Sequence, residues 1–305
     1  MTEPTFSIIV PTYNRAAQLA TCLEGLAQLD YPRDRFEVVV VDDGSETAPE
    51  PVVAPFRNRL NLTLLAQDHG GPSAARNAGA AVARGRYLAF TDDDCMPAPD
   101  WLRALEARFR TTPAQVIGGP TINAYPENVY AATSQVILDM ILARYGADPG
   151  QACFLASNNL AAPADLFHAI GGFDSSQFPL AAGEDRDICE RWLEYGCGIT
   201  CAPEVRVFHA HRLTLRSFCR QHLNRGRASL WLAEARRKRG AGEAGSEGAS
   251  FLGRLRQLAS SLSQTRRRQL SLIAALLVVW RICHTAGWAW EWLGARARKA
   301  ANSQT

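Results

Sequence analysis

Four short apolar runs divide the first third of the chain: residues 6–10 (FSIIV), 36–41 (FEVVVV), 62–66 (LTLLA) and 87–90 (YLAF). Each is rich in β-branched or aromatic residues and ends in turn chemistry, the pattern of strands buried on both faces of a parallel sheet. Between the first two, Leu19, Cys22, Leu23 and Leu26 fall at i, i+3, i+4 and i+7, the core stripe of a helix. Residues 72–83 are small and alanine-rich and predict a second helix that approaches a sheet closely. Alternating units of this length imply a right-handed, doubly wound α/β layer. Further on, 163–170 reads as a short helix closed by Gly171-Gly172, and 205–208 reads as a strand. Residues 184–195 read as a helix with Ile188, Cys189 and Trp192 inward and Gly196 as its stop. Residues 236–250 (RRKRGAGEAGSEGAS) have linker composition.

Composition adds boundaries more than identity. With 305 residues the chain can bury one large domain or two small ones. A net charge of +3 gives no electrostatic case for a nucleic-acid partner. The basic residues do cluster late, at Arg236-Arg237-Lys238-Arg239 and Arg266-Arg267-Arg268. Eight cysteines without a CxxC pair predict reduced thiols, not a disulfide framework. The apolar run at 6–10 is too short for the core of a secretory signal, so a cytoplasmic location is the expectation.

Ligands bind at the carboxyl ends of strands in open parallel sheets. Here three strands end in polar groups: Pro11-Thr12-Tyr13-Asn14, Asp42-Asp43-Gly44-Ser45 and Thr91-Asp92-Asp93-Asp94. Two carboxylates about 6 Å apart at an effective dielectric of about 20 repel by roughly 3 kcal/mol. A divalent cation removes that repulsion, and hard oxygen ligands select Mg2+ or Mn2+ over zinc.

The segments SIIVPTYNR, VVVVDDGS, GGPSAARNAGA and YLAFTDDDCMP, in this order, resemble family-2 glycosyltransferases with the GT-A fold. The resemblance covers roughly residues 5–225. It implies a Rossmann-like doubly wound mixed sheet with an appended C-terminal helical region, and an inverting transfer from a nucleoside-diphosphate sugar, UDP-linked by expectation. It implies further that Asp92 and Asp94 hold a divalent metal bridging the donor diphosphate, with Asp93 as spacer. Pro11, Thr12, Tyr13, Asn14, Asp42, Arg76, Asp92 and Asp93 then form the nucleotide rim. An arginine near a helix start suits a diphosphate on physical grounds as well.

On the acceptor side, Glu184-Asp185 matches the family's ED motif, which makes Asp185 the candidate general base and Glu184 its neighbour. The ASNNLAAP segment resembles the family stretch beneath the donor sugar. Family members carry a histidine where His209 and His211 stand. One of the two is the candidate to reach the metal or the diphosphate and the other structural, with His209 favoured over His211 as metal ligand. Where processive synthases carry QxxRW, this chain reads Gln221-His222-Leu223-Asn224-Arg225-Gly226, which argues for addition of a single sugar.

The expected division is a catalytic domain over 1–228, split into a nucleotide half (1–118) and an acceptor half (119–228). A basic, flexible linker over 229–268 and an apolar amphipathic helix over 269–305 follow. That last helix is long enough to span a bilayer but is interrupted by Arg281, His284 and Glu291. An interfacial helix, a span and a helix packed on the protein all remain open, with peripheral contact at the inner face of the cytoplasmic membrane as the expectation. The partners expected are a nucleotide-sugar donor and a glycan or lipid-linked acceptor in cell-envelope or exopolysaccharide assembly. A nucleotidyltransferase would carry a glycine-rich, lysine-bearing loop after the first strand, and a dinucleotide oxidoreductase a GxGxxG. PTYNR is neither. The alternative reading is a non-catalytic or nucleotidyltransferase-like nucleotide-sugar-binding protein.

Overall fold

The computed structural model describes residues 3–145, 154–180, 182–240 and 267–302. The four apolar runs form strands β1 (Phe6–Thr12), β2 (Phe36–Asp42), β3 (Leu62–Ala66) and β4 (Tyr87–Phe90), paired in parallel in the order β3-β2-β1-β4. The period-2 geometry of a strand sends alternate residues to opposite faces. Ile8, Val10, Val38 and Val40 enter the main core beside Leu19, Leu23 and Leu26 of helix α1 (Ala16–Ala27) and Trp101, Leu105 and Phe109 of helix α4 (Trp101–Thr111). Val39 and Val41 face the other way, onto Ala75 of helix α3 (Pro72–Val82).

Helix α3 lies close to the sheet because its residues are small. A Cβ at Gly79 would stand 2.6 Å from Ile9 Cγ2. The helix starts at Gly71, whose φ of 85° places it in the left-handed region where glycine is preferred, and Pro72 fills the first turn.

The short helix α2 (Glu50–Val53) and strands β5 (Cys95–Pro97), β6 (Val116–Gly118), β7 (Thr121–Asn123), β8 (Leu160–Pro163), β9 (Ile199–Cys201) and β10 (Val207–His209) complete two sheets. The large sheet runs β3-β2-β1-β4-β8-β6-β9 and is mixed, since β8 is antiparallel to β4 and β6. The small sheet runs β5-β10-β7 and pairs His209 with Cys95 on one side and Asn123 on the other. The strand expected at 205–208 therefore begins two residues later, at Val207, and ends on His209 itself. Helices α6 (Ala164–Ala169) and α7 (Glu184–Glu194) occupy the positions read from the sequence, with Ile188, Cys189 and Trp192 buried. Arg191 ties α7 to the preceding loop by donating to Asp187, to Ile170 O and to Gly172 O.

The chain divides into two compact units. The first comprises Met1–Ala124, Tyr145–Pro179 and Glu184–His211, and the second Tyr125–Arg144, Leu180–Gly183 and Arg212–Thr305. The second unit contains most of helix α5 (Val129–Tyr145), helix α8 (Leu215–Arg239) and helix α9 (Arg267–Asn302). The expected linker does not begin at 229. Helix α8 continues to Arg239, and Gly240 closes it at φ 69°. Thr214 and Ser217 form a reciprocal capping box at its start. Ala228, Trp231, Leu232 and Ala235 extend its buried stripe through the segment read as linker, and four basic residues in the last turn complement the helix dipole. Residues 241–266 of that expected linker lie outside the described residues.

Helices α8 and α9 cross at two glycines. A Cβ at Gly226 would collide with the carbonyl of His284, and one at Gly287 with the carbonyl of Leu223. Around this crossing Phe218, Leu276 and Ile137 form a separate core, and Arg227 pairs with the buried Glu291 at 2.9 Å. His222 is fully buried against Phe218 and Trp280, and burial pushes its imidazole down to about 3, so it is neutral. Gly226→Ala should destabilise the protein by about 1–3 kcal/mol, the usual cost of overpacking. Urea unfolding checks this, and an unchanged midpoint would contradict the close crossing.

Candidate active site

The register of the large sheet assembles the site. Thr12 at the end of β1 lies beside Asp42 at the end of β2. Thr91 N donates to Ile9 O, so the chain leaving β4 delivers Asp92, Asp93 and Asp94 onto the same edge. From there Ala210 N donates to Asp94 O at 2.7 Å, and the small sheet sets His209 across from Cys95.

The three aspartates have three different environments. Asp92 is the most accessible, with a side chain 29% exposed that accepts from Arg76 Nη2 at 2.7 Å. Asp93 is buried and accepts from Thr12 Oγ1 at 2.8 Å and from Arg15 Nη1 at 2.9 Å. Asp94, also buried, accepts from the same Arg15 Nη1 at 2.9 Å and lies 3.2 Å from His209 Nε2. Burial raises Asp93 from the ordinary carboxylate value of 3.8 to about 6, although Arg15 opposes the shift. Asp94 is shifted the opposite way: burial works against its charge, but the hydrogen bond and charge of His209, with Arg15, hold it well below the usual range.

Arg76 links the two halves of the site. It is 3% exposed, its Nη2 donates to Asp92, and its Nη1 to Glu184 at 3.2 Å; its guanidinium carbon stands 5.5 Å from the Phe173 ring centroid. Phe173 is in turn held by Asn77, whose amide donates to Phe173 O and whose oxygen accepts from Phe173 N. Burial and then the charge of Asp185 push Glu184 upward, against Arg76, and its Oε2 is buried without a partner. Asp185 is half-buried in the first turn of α7, where its Oδ1 accepts from Arg186 N.

The nucleotide rim is more braced than its sequence suggests. Asp42 is buried and accepts from Ser45 N at 3.1 Å. Tyr13 is exposed and stacks on His69 with centroids 4.2 Å apart. Asn14, at φ 54°, joins the ends of β1 and β2: its N donates to Ser45 Oγ, and its Oδ1 accepts from Glu46 N. Pro11 is buried inside β1 opposite Val41 and presents no polar side chain.

Several residues brace the site through partners that sequence pattern did not supply. Arg15 closes the PTYNR segment, but nothing in its spacing ties it to acids some eighty positions away. Asp43 organises the loop before α3, accepting from Gln67 Nε2, Gly70 N and Gly71 N and pairing with His69 at 2.9 Å. The ASNN segment braces the interior: Asn159 joins Trp101, Pro120 O and Val205 O, and Asn158 joins Thr121 and Cys95.

Among the described residues, Asp94, Cys95 and His209 bring ligand atoms within 4.8 Å of one another. Burial, then the charge of Asp94, raises the Cys95 thiol well above its ordinary value, so the readier donors are the carboxylate and imidazole set of Asp94 and His209. That set fits Mn2+ or Mg2+ better than a thiolate-seeking metal. Asp92 is directed to Arg76 and lies outside this cluster.

The model of glycosyl transferase family 2 matches residues 7–164, and that of glycosyl transferase family group 2 matches 87–291. The chain belongs to glycosyl transferase family 2. Glycosyltransferase AglE of Haloferax volcanii is 29% identical over 245 residues, covering 76% of each chain. Validoxylamine A glucosyltransferase of Streptomyces hygroscopicus is 29% identical over 66% of this chain, which spans 54% of that protein. Among solved structures, a mannosyltransferase from Pyrobaculum calidifontis in complex with GDP-Man and Mn2+ superposes with TM-score 0.60 at 22% identity, covering 94% of this chain and 85% of that one. Staphylococcus aureus TarS in complex with UDP-GlcNAc gives 0.56 at 20% identity, covering 93% and 89%. The family-2 glycosyltransferase thus has the expected GT-A α/β fold, a mixed sheet flanked by helices.

The Asp93 environment has a measurable consequence. Its folded-state pKa lies above the ordinary value, so its contribution to stability is complete below about pH 4 and is lost as pH rises through about 6. Asn at this position remains neutral and can still accept from Thr12 and Arg15. The stability of Asp93→Asn relative to the native protein should therefore rise across that interval, by about 1–3 kcal/mol in total. Melting curves in chelator from about pH 4 to about pH 7.5 test this, and a constant gap would refute it.

Proposed function

We propose that this family-2 enzyme transfers one sugar, with inversion, from a nucleoside-diphosphate sugar to a hydroxyl acceptor, the donor being UDP-linked. The convergence of Thr12, Asp42, Arg76, Asp92, Asp94, His209 and the Glu184-Asp185 pair on one sheet edge carries this reading. Tyr13 offers an exposed aromatic ring, and the buried Asp42 an acceptor for the imide N–H of a uracil. Mn2+ or Mg2+ held by Asp94 and His209, with Asp92 at the open edge, would supply positive charge to the departing diphosphate. The GDP-Man and Mn2+ bound by the Pyrobaculum mannosyltransferase and the UDP-GlcNAc bound by TarS support a donor and metal of this kind.

Asp185 is the proposed general base. Its carboxylate accepts the proton of the acceptor hydroxyl as that oxygen bonds to the anomeric carbon, while the bond from that carbon to the diphosphate oxygen breaks. Attack opposite the leaving group by a single base inverts the centre. Arg76 positions both sides of the reaction, because one buried guanidinium holds Asp92 on the donor side and Glu184 beside the base. Asp94→Asn should abolish Mn2+-dependent nucleotide binding. Asp185→Asn should keep that binding and lower kcat by about 100-fold or more. Calorimetry with UDP and Mn2+, paired with turnover assays, separates the two roles. Full activity in Asp185→Asn would eliminate it as base.

The acceptor belongs, on this reading, to glycan assembly at the cell envelope, with the protein resting on the inner face of the membrane. Helix α9 supports that placement, since Leu272, Val278, Ile282, Trp290 and Leu293 are exposed along it. A span is disfavoured because α8, packed along α9, exposes Arg216, Arg220, Arg237 and Lys238, which would be drawn into hydrocarbon. An in-plane helix keeps those charges in water. Val278→Glu with Ile282→Glu should release the protein from vesicles containing phosphatidylglycerol. Equal co-sedimentation of native and variant protein would end the membrane reading.

A further inference from the structure

Two guanidiniums face the aspartate edge, and they are held very differently. Arg76 is 3% exposed and fixed from two sides by Asp92 and Glu184. Arg15 reaches the edge from the residue just before α1, and its side chain is 40% exposed. A single atom of it, Nη1, donates at 2.9 Å to both Asp93 Oδ1 and Asp94 Oδ2. It therefore places one positive charge where the sheet gathers its negative charge, on the opposite oxygen of Asp94 from the one facing His209.

This arrangement sets two cations against each other. A divalent ion at Asp94 and His209 would lie across one carboxylate from Arg15, and like charges at that separation oppose binding. A donor diphosphate removes the conflict. Guanidinium binds phosphate oxygens in paired hydrogen bonds, and the exposed flank of Arg15 leaves its side chain free to turn toward the open edge. Asp93 keeps its bond from Thr12 when Arg15 leaves, so the acidic edge retains its shape.

We infer that Arg15 is a resident counter-ion that couples metal binding to donor binding: it neutralises Asp93 and Asp94 in the free enzyme and transfers to the donor diphosphate, so that metal and donor each tighten the other. The inference rests on the assignment of Asp94 and His209 as the cation site. Linkage requires the effect to be reciprocal.

The test is a Mn2+ titration followed by electron paramagnetic resonance, with and without UDP, on the native enzyme, Arg15→Gln and Arg15→Lys. Arg15→Gln removes the charge and should bind Mn2+ about tenfold more tightly without nucleotide, while the enhancement by UDP shrinks by a similar factor. Arg15→Lys keeps the charge and should retain the weak nucleotide-free affinity of the native enzyme, which separates charge from a general disturbance of the fold. Unchanged or weaker Mn2+ binding by Arg15→Gln, or an undiminished UDP effect in it, overturns the role of Arg15 alone. If the native enzyme binds no Mn2+ even with UDP, the cation-site assignment falls and the coupling with it.

Discussion

Carboxylates that repel one another at the carboxyl edge of a parallel sheet are the constraint around which this protein is arranged. Asp92, Asp93 and Asp94 follow β4 after Thr91 as an unbroken run, and two of the three are buried. Such a run persists only if positive charge or hydrogen-bond donors meet each member. The fold supplies Arg76 to Asp92, Thr12 and Arg15 to Asp93, and Arg15 with His209 to Asp94. Those partners come from β1, the start of α1, α3 and the small sheet, so neutralising one acidic turn draws four parts of the first unit together. Burial nonetheless raises Asp93 to about 6, while His209 and Arg15 hold Asp94 well below the usual range, from adjacent positions in the chain.

Rigidity beneath the site comes from small residues and buried amides. Gly79 lets α3 approach β1, which carries Arg76 within reach of both Asp92 and Glu184. Asn159 sits just before β8 beside the end of β6, joining Trp101 to the carbonyls of Pro120 and Val205. Gly118 and Gly119 have no room for a Cβ at this junction, because the carbonyls of Asn159 and Val205 stand there. The small sheet that carries His209 is thereby anchored to the large one. The second unit repeats the device in helices, with Gly226 and Gly287 allowing α8 and α9 to touch backbone to backbone.

Much of this was legible in the amino-acid sequence because it depends on local period. Strand alternation and helix periodicity located β1 to β4, α1, α3 and α7 to within a few residues, since burial on a sheet face demands those patterns whatever lies opposite. The acidic strand ends pointed to the right edge, because parallel topology places all carboxyl ends together. Periodicity failed where composition misled. The charged, alanine-rich stretch after 228 reads as linker, yet the helix capped by Thr214 runs on through it, Trp231 and Leu232 bury its face, and Gly240 stops it.

Charge partners were the part only the tertiary structure could decide. Arg15 and Asp93 are 78 positions apart, Arg76 and Glu184 108, and no spacing rule relates residues brought together by sheet register. Register likewise selected which aspartate meets His209 and which meets Arg76, and gave the adjacent Asp93 and Asp94 opposite shifts in acidity. Sequence determined that acids would gather at one edge, because the order of strands and turns is a local property. Tertiary structure decided what each acid touches, because electrostatic environment depends on distance in space.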